Sequence, residues 1–191
     1  MVTPFYTIGH GTRPLHDFVE LLKGVAVIFV VDVRTVPRSR TNPQYDRDTL
    51  PQSLKPFEIG YEHIVSLGGL RGRAREVPLE LNAFWDNDSF HNYADYALSD
   101  QFHDGLSRLR QLGHARRCVI MCAETLWWRC HRRIITDYLL AAGESVFHIL
   151  GPGQVEEAHI TAAARPRVGG RLVYAADPSR GAPLKKLASK D

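Results

Sequence analysis

The chain has 191 residues, 44% hydrophobic and 24% charged, with a net charge of +3 at pH 7. That length suits one domain with a sizeable core. No apolar run approaches the ~20 residues that cross a membrane, the N-terminus lacks a basic-then-apolar secretory pattern, and three cysteines are too few for a disulfide framework, so a cytoplasmic protein without membrane partners is expected.

Phe5-Tyr6-Thr7-Ile8 reads as a short strand, ended by Gly9-His10-Gly11. Thr12 is placed to cap a helix with Pro14 in its first turn, and Leu15, Phe18, Val19 and Leu22 give that helix an apolar stripe. Residues 26–33 are almost continuously apolar, as in a central parallel strand covered on both faces. After this strand–helix–strand opening comes a loop over 35–42 rich in Pro, Ser and Arg. A short helix over 46–54 and a strand over 61–65 follow. Charged, irregular residues 71–88 read as an excursion or lid over the site. Residues 91–98 read as a helix, and Ser99 caps another. Residues 119–121 form a buried strand, a helix starts near Cys130 and stops at Gly143, and 145–150 make a last strand. After Gly151-Pro152-Gly153, a short helix is expected over 156–164.

Strands alternating with helices predict a three-layer α/β/α sandwich with a mainly parallel sheet. The expected organisation is a single α/β domain over 1–164 and a basic C-terminal tail over 165–191. The tail holds seven Lys/Arg against two Asp, so the body before it is near neutral. One edge strand, 172–174, is the only element expected there.

Polar residues stand at three predicted strand ends: Gly9-His10, Asp32 with Arg34, and Cys122 with Glu124. In a parallel sheet these ends converge on one edge, where ligands bind. Cys130 lies near a predicted helix N-terminus beside His131, Arg129 and Arg132, a setting that favours a reactive thiolate. A Cys–His pair is also the minimum for nucleophilic catalysis. The plainer alternative is a buried cysteine acting as a small hydrophobe. Asp32 and Arg34 are a structural ion pair, or else a base or ribose ligand beside a phosphate clamp.

Arg34, Arg38 and Arg40 form one basic rim and Arg71, Arg73 and Arg75 a second, which together favour an anionic ligand. Ser39 stands inside the first rim. Trp127 and Trp128 either stack on a base or cover the core, and of two adjacent tryptophans one at most faces the ligand. No GxGxxG, GxxxxGK[ST] or GxSxG occurs, and the Cys/His spacing matches no standard zinc pattern, so neither a cofactor nor a metal is expected. The loop from Cys122 to Arg129 is one residue longer than the CxxxxxR cradle of phosphatases.

Thr7-Ile8-Gly9-His10, Val31-Asp32-Val33-Arg34, Pro37-Arg38-Ser39, Leu67-Gly68-Gly69, Cys122-Ala123-Glu124, Cys130-His131-Arg132 and His148-Ile149 resemble, in that order, the motifs of the domain-of-unknown-function 488 family. The resemblance covers Tyr6 to Leu150, with one departure at Gly11, where the family pattern usually has Ser. It implies an α/β fold and makes the named residues site candidates, but names no substrate.

The leading expectation is a cytosolic enzyme acting on a small phosphorylated or nucleotide-like anion. Cys130 or Cys122 would be the nucleophile, and His131 or His10 the acid/base. Glu124 and Asp32 are further catalytic candidates. Arg34 and Arg132 would clamp the anion, with Gly9, Arg38, Ser39 and Trp128 lining its site. The alternative is a non-catalytic nucleic-acid or nucleotide-binding module using the arginine rims, tryptophans and tail. Oligomeric state is not legible in the sequence.

Overall fold

The computed structural model describes residues 3–176. Six strands form one sheet: β1 (Phe5–Gly9), β2 (Phe29–Asp32), β3 (Gly60–His63), β4 (Cys118–Cys122), β5 (Val146–Gly151) and β6 (Gln154–Glu157), in the order β3-β2-β4-β1-β5-β6. Every neighbouring pair is parallel except β5 with β6. Helices α1 (Leu15–Gly24) and α2 (Leu50–Leu54) cover one face, packing Phe18, Leu22, Leu50 and Leu54 on Ile8, Val30 and Val119. Helices α3 (Asp88–Tyr96), α4 (Asp100–Ala115) and α5 (Arg132–Ala141) cover the other, packing Tyr93, Phe102, Leu109 and Ile135 on Phe5, Val31 and Ile120. This is the three-layer α/β/α sandwich that the alternation of elements predicts. Alternate residues of each central strand face opposite layers, so both faces of β2 and β4 are buried and their sequences are apolar except for Asp32 at the C-terminal end of β2.

Local chemistry explains where the elements begin. Ser99 caps α4, its side chain accepting from the Phe102 amide at 3.3 Å. Pro51 sits in the first turn of α2, where its missing N–H costs nothing, so the helix starts at Leu50 rather than at 46. Pro14 occupies the N-cap of α1, the place expected for Thr12. The apolar run from 26 becomes strand only at Phe29, because Ala26 adopts φ 54° in the turn that leaves α1.

One expected element is overturned. The helix over 156–164 does not form. Gly151 pairs with Gln154 around Pro152-Gly153, and Gly153 has φ 66°. Pro then Gly at the centre of a tight turn sends the chain straight back, so 154–157 becomes the antiparallel strand β6.

Strands β7 (Ala164–Arg167) and β8 (Arg171–Tyr174) form a separate antiparallel pair. The expected edge strand at 172–174 is thus present, but outside the main sheet. The division at 164 falls inside this hairpin, and its residues pack on the domain: Leu172, Val173 and Tyr174 are buried. The remainder of the expected tail, 177–191, lies outside the described residues. Among those residues no helix is long and apolar enough to cross a membrane.

The hairpin is pinned by Asp137 of α5. Its carboxylate accepts from the Thr161 amide at 2.8 Å and from the Tyr174 hydroxyl at 3.0 Å. Burial pushes the Asp137 carboxyl up to about 6, against the pull of these hydrogen bonds. Its folded pKa therefore exceeds the unfolded value of ~3.9. The protonated acid is favoured in the fold, and that contribution is present below pH ~4 and lost as pH rises through about 6. Asp137→Asn cannot ionise and is expected to remove a swing of about 2–3 kcal/mol in stability across this range. Urea unfolding of both proteins at a series of pH values checks it: parallel stability curves would show that Asp137 does not titrate there.

Candidate functional site

The C-terminal ends of β1, β2 and β4 lie side by side, with Gly9 opposite Cys122 and Asp32 opposite Met121. The chain leaves β1 toward α1 on one face and leaves β4 toward α5 on the other. Neighbouring strands whose connections diverge leave a crevice at their C-terminal ends. A cavity of about 300 Å³ opens there, lined among others by Arg34, Cys122, Glu124, Arg129, Cys130 and His131.

Its chemical centre is Cys130, which is 4% exposed. The Sγ atoms of Cys122 and Cys130 and a ring nitrogen of His131 all lie within 4.8 Å of one another. His131 Nε2 is 2.9 Å from the Val33 carbonyl, which can only accept, so in the neutral ring Nε2 carries the proton. Nδ1 is then left as an acceptor, 3.6 Å from Cys130 Sγ. From the other side Arg132 Nε donates to the same sulfur at 3.3 Å, while its Nη2 donates to the Glu124 carbonyl.

Arg132 is 1% exposed, and among the described residues no carboxylate pairs with it. A buried cation without a counter-charge is strongly unfavourable. The group placed to supply one is the Cys130 thiolate. Burial alone would raise the Cys130 thiol, but the Cys122 thiol, His131 and Arg132 outweigh it and hold it well below the ordinary cysteine value. Cys122 moves the other way, well up, because it faces the Cys130 sulfur and is buried. The pair therefore shares one negative charge, carried by Cys130. Cys118, wholly inside the sheet, is pushed up to about 12 by burial.

The two thiols and His131 are also the soft donors that a metal would use. A zinc site with an open position needs three such donors, but here the Arg132 guanidinium sits against one of them, and its fixed charge opposes a cation.

Asp32 and His10 are held in a separate network behind the cavity. Asp32 is wholly buried and paired in fork geometry with Arg34, at 2.9 Å from Nε and 2.6 Å from Nη2. Tyr61 adds a third donor at 2.7 Å. His10 Nδ1 bonds the Gly11 carbonyl at 2.8 Å, and its Nε2 accepts from Arg34 Nη1 at 3.2 Å. Burial lowers His10 to about 4, so it is neutral near pH 7, stacked on Tyr45 with centroids 4.0 Å apart. Arg34 also donates to the Tyr45 carbonyl. Among the described residues four of its five N–H groups are bonded, which leaves one on Nη1, and Arg34 lines the cavity.

The remaining candidates scatter. Gly9 packs on the Glu124 backbone, where an added Cβ would fall 1.9 Å from the carbonyl oxygen. It shapes the loop and is not among the cavity-lining residues. Glu124 lines the cavity and accepts from the Leu126 amide at 3.1 Å. Ser39 closes a turn, its hydroxyl accepting from the Asn42 amide at 3.0 Å. Arg38 is exposed and 3.6 Å from Asp48, beside a neighbouring hollow. Trp128 is 44% exposed and outside the cavity. Trp127 stacks on His148 at 4.2 Å, and burial lowers His148 to about 4. Arg71 lies over Tyr96 at 3.7 Å and ties the 65–68 turn.

Sequence reasoning missed several wall residues: Leu70, Ser89 and Phe90, which flank the expected excursion over 71–88, while none of residues 71–88 lines the cavity; Arg129 was noted only as a neighbour of Cys130. It also missed the role of Gly69. A Cβ there would lie 2.4 Å from His131 Nδ1, the atom that faces Cys130. The LGG motif was the available signal. Gly69→Ala is expected to displace the imidazole, cost about 1–3 kcal/mol by overpacking, and slow Cys130 alkylation at pH 7 about tenfold. Unchanged alkylation kinetics in the variant would remove His131 from the tuning of the thiol.

Fold and site thus define an α/β sandwich protein with a buried Cys–His–Arg centre at its parallel strand ends. The chain belongs to the family described as Domain of unknown function DUF488, whose model matches residues 14–139, more than half of its length. Neither a curated protein nor a solved structure matches it.

Proposed function

We propose that this protein is an enzyme acting on a phosphorylated or nucleotide-like anion, with Cys130 as the nucleophile. The observation that carries this reading is the Cys130 sulfur held between His131 and Arg132 beneath a cavity that Arg34 and Arg129 also line. A thiolate so placed needs no further activation. Arg129 and the last N–H of Arg34 would hold the anion. The Cys130 sulfur attacks phosphorus, and the S–P bond forms as the bond to the leaving oxygen breaks. The proton that Cys130 has passed to His131 Nδ1 goes on to that oxygen. A water that loses its proton to the now neutral His131 then cleaves the S–P bond and restores the thiolate.

Asp32 and His10 fix Arg34 rather than move protons. Of the basic rims, Arg71 is engaged with Tyr96 and the 65–68 turn, which supports a small anion in the cavity over nucleic acid at that position. A cytoplasmic location accompanies this reading, since a thiolate nucleophile needs a reducing compartment. The test is a panel of phosphate monoesters, diesters and nucleotides assayed with the wild type and with Cys130→Ser. Turnover by the wild type, lost at least about a hundredfold in the variant, is expected. Turnover that survives Cys130→Ser would overturn the assignment.

A further inference from the structure

We infer that Cys130 is a peroxide-reactive thiol with Cys122 as its resolving partner, the two closing into a disulfide on oxidation. The inference shares the Cys130 sulfur with the reading above but needs no phosphorylated substrate.

The geometry comes first. The two sulfurs lie within 4.8 Å of each other, so bonding requires them to approach by at most roughly 3 Å. They bracket the loop 123–129, in which Ala123, Thr125, Trp128 and Arg129 are exposed and the regular structure is a single 3-10 turn, Trp127–Arg129. Cys122 is fixed at the end of β4, so the adjustment falls on this loop. The cavity that both residues line gives a small oxidant its route.

The chemistry balances. The Cys130 thiolate attacks hydrogen peroxide, forming an S–O bond while the O–O bond breaks. The sulfur becomes sulfenic acid, and the departing hydroxide takes a proton to become water. Cys122 then attacks the Cys130 sulfur, the S–O bond breaks, and its oxygen leaves as a second water carrying the Cys122 proton. Two thiols have lost two electrons in all, and one peroxide has gained them. His131, 3.6 Å from the Cys130 sulfur, is placed to relay the proton.

The unequal acidity of the pair assigns the roles: the sulfur beside Arg132 and His131 is the one oxidised first. Cys118 is inside the sheet and takes no part. Reduction restores the anion beside buried Arg132, so the bond is of the readily reversed kind. Closing it shields Cys130 from irreversible over-oxidation.

The experiment exposes the full-length native protein to a modest excess of hydrogen peroxide. Thiols are counted after denaturation, and non-reduced peptides are mapped with fragment spectra that separate Cys118 from Cys122. The free thiols should fall from three to one, with a Cys122–Cys130 link reversed by dithiothreitol. In Cys122→Ala, peroxide with dimedone should label Cys130 and give no disulfide. A wild type that keeps three thiols, or that carries sulfinic acid on Cys130 beside reduced Cys122, would overturn the inference even if Cys122→Ala does not fold. A link that forms in a protein with no phosphoesterase activity would uphold it while removing the substrate reading.

Discussion

Arg132→Met is expected to slow alkylation of Cys130 at pH 7 by about tenfold or more, since each unit of thiol pKa changes the thiolate fraction tenfold below the pKa. The methionine keeps much of the stem volume and removes the cation 3.3 Å from the sulfur. The thiol then escapes the ~3–5 kcal/mol cost of an orphaned buried charge by keeping its proton. The remaining loss, from packing and the bond to the Glu124 carbonyl, is about 1–3 kcal/mol.

The pH dependence gives a second readout. Cys130 has a folded pKa below its unfolded value of ~8.5. Its contribution to stability is therefore full above that unfolded value and lost as pH falls through the folded one. Wild-type protein should lose stability over that interval, and Arg132→Met should not. Arg132→Lys keeps the charge but cannot reach both the sulfur and the carbonyl with a planar fork, so it should recover part of the reactivity. Alkylation rates and urea curves that coincide for wild type and Arg132→Met would show that the guanidinium does not hold the thiolate.

Tyr174→Ala is expected to cost about 3–5 kcal/mol, the range for truncating a large buried aromatic. For a domain of this size that is a fall of roughly 6–20 °C in Tm. Tyr174 is wholly buried, and its ring lies 5.1 Å from that of Trp85. Its amide donates to Asn82 Oδ1 at 3.0 Å, and its carbonyl accepts from the Phe84 amide at 3.1 Å. Trp85 in turn stacks on Phe90, a wall of the cavity. Tyr174→Phe removes only the bond to Asp137 and should cost about 1–2 kcal/mol. Deletion from Arg165 should be at least as damaging as Tyr174→Ala, since it removes Leu172, Val173 and Tyr174, all buried. Thermal melts of the three variants decide this. A truncated protein that melts with the wild type would show that the hairpin contributes nothing.

Much of the centre could be read in the sequence because it depends on local order. Cys130-His131-Arg132 is contiguous, and its place between a strand and a helix follows from apolar periodicity. Glu124 and Cys122 at one strand end, and Arg34 at another, were similarly visible. What the sequence hid depends on distant partners. Nothing near His10 announces that Arg34 will occupy its Nε2. Nothing near His131 announces that the Val33 carbonyl will set its tautomer. Arg132, read as an anion clamp, donates to the Cys130 sulfur and the Glu124 carbonyl and is not among the cavity-lining residues, which its position in the sequence did not announce.

The β7–β8 hairpin was hidden for a different reason. Pro166 and its exposed neighbours Arg165 and Arg167 make β7 read as solvated chain, and burial falls almost wholly on β8. The Pro152-Gly153 turn, by contrast, was legible, and its chemistry outranks the weak helical pattern that follows.

The strand that this turn creates bears on how the molecule behaves in a crowd. Among the described residues β6 is a sheet edge, so one side of its backbone presents amides and carbonyls without a strand partner there, a template on which a second chain could add a strand. All four of its residues are exposed, and Glu156 and Glu157 lie adjacent. Two copies meeting through this edge would bring their carboxylates together as they paired. Such inbuilt repulsion is how open sheets resist joining into longer ones, and it protects a rim that the described residues leave uncovered.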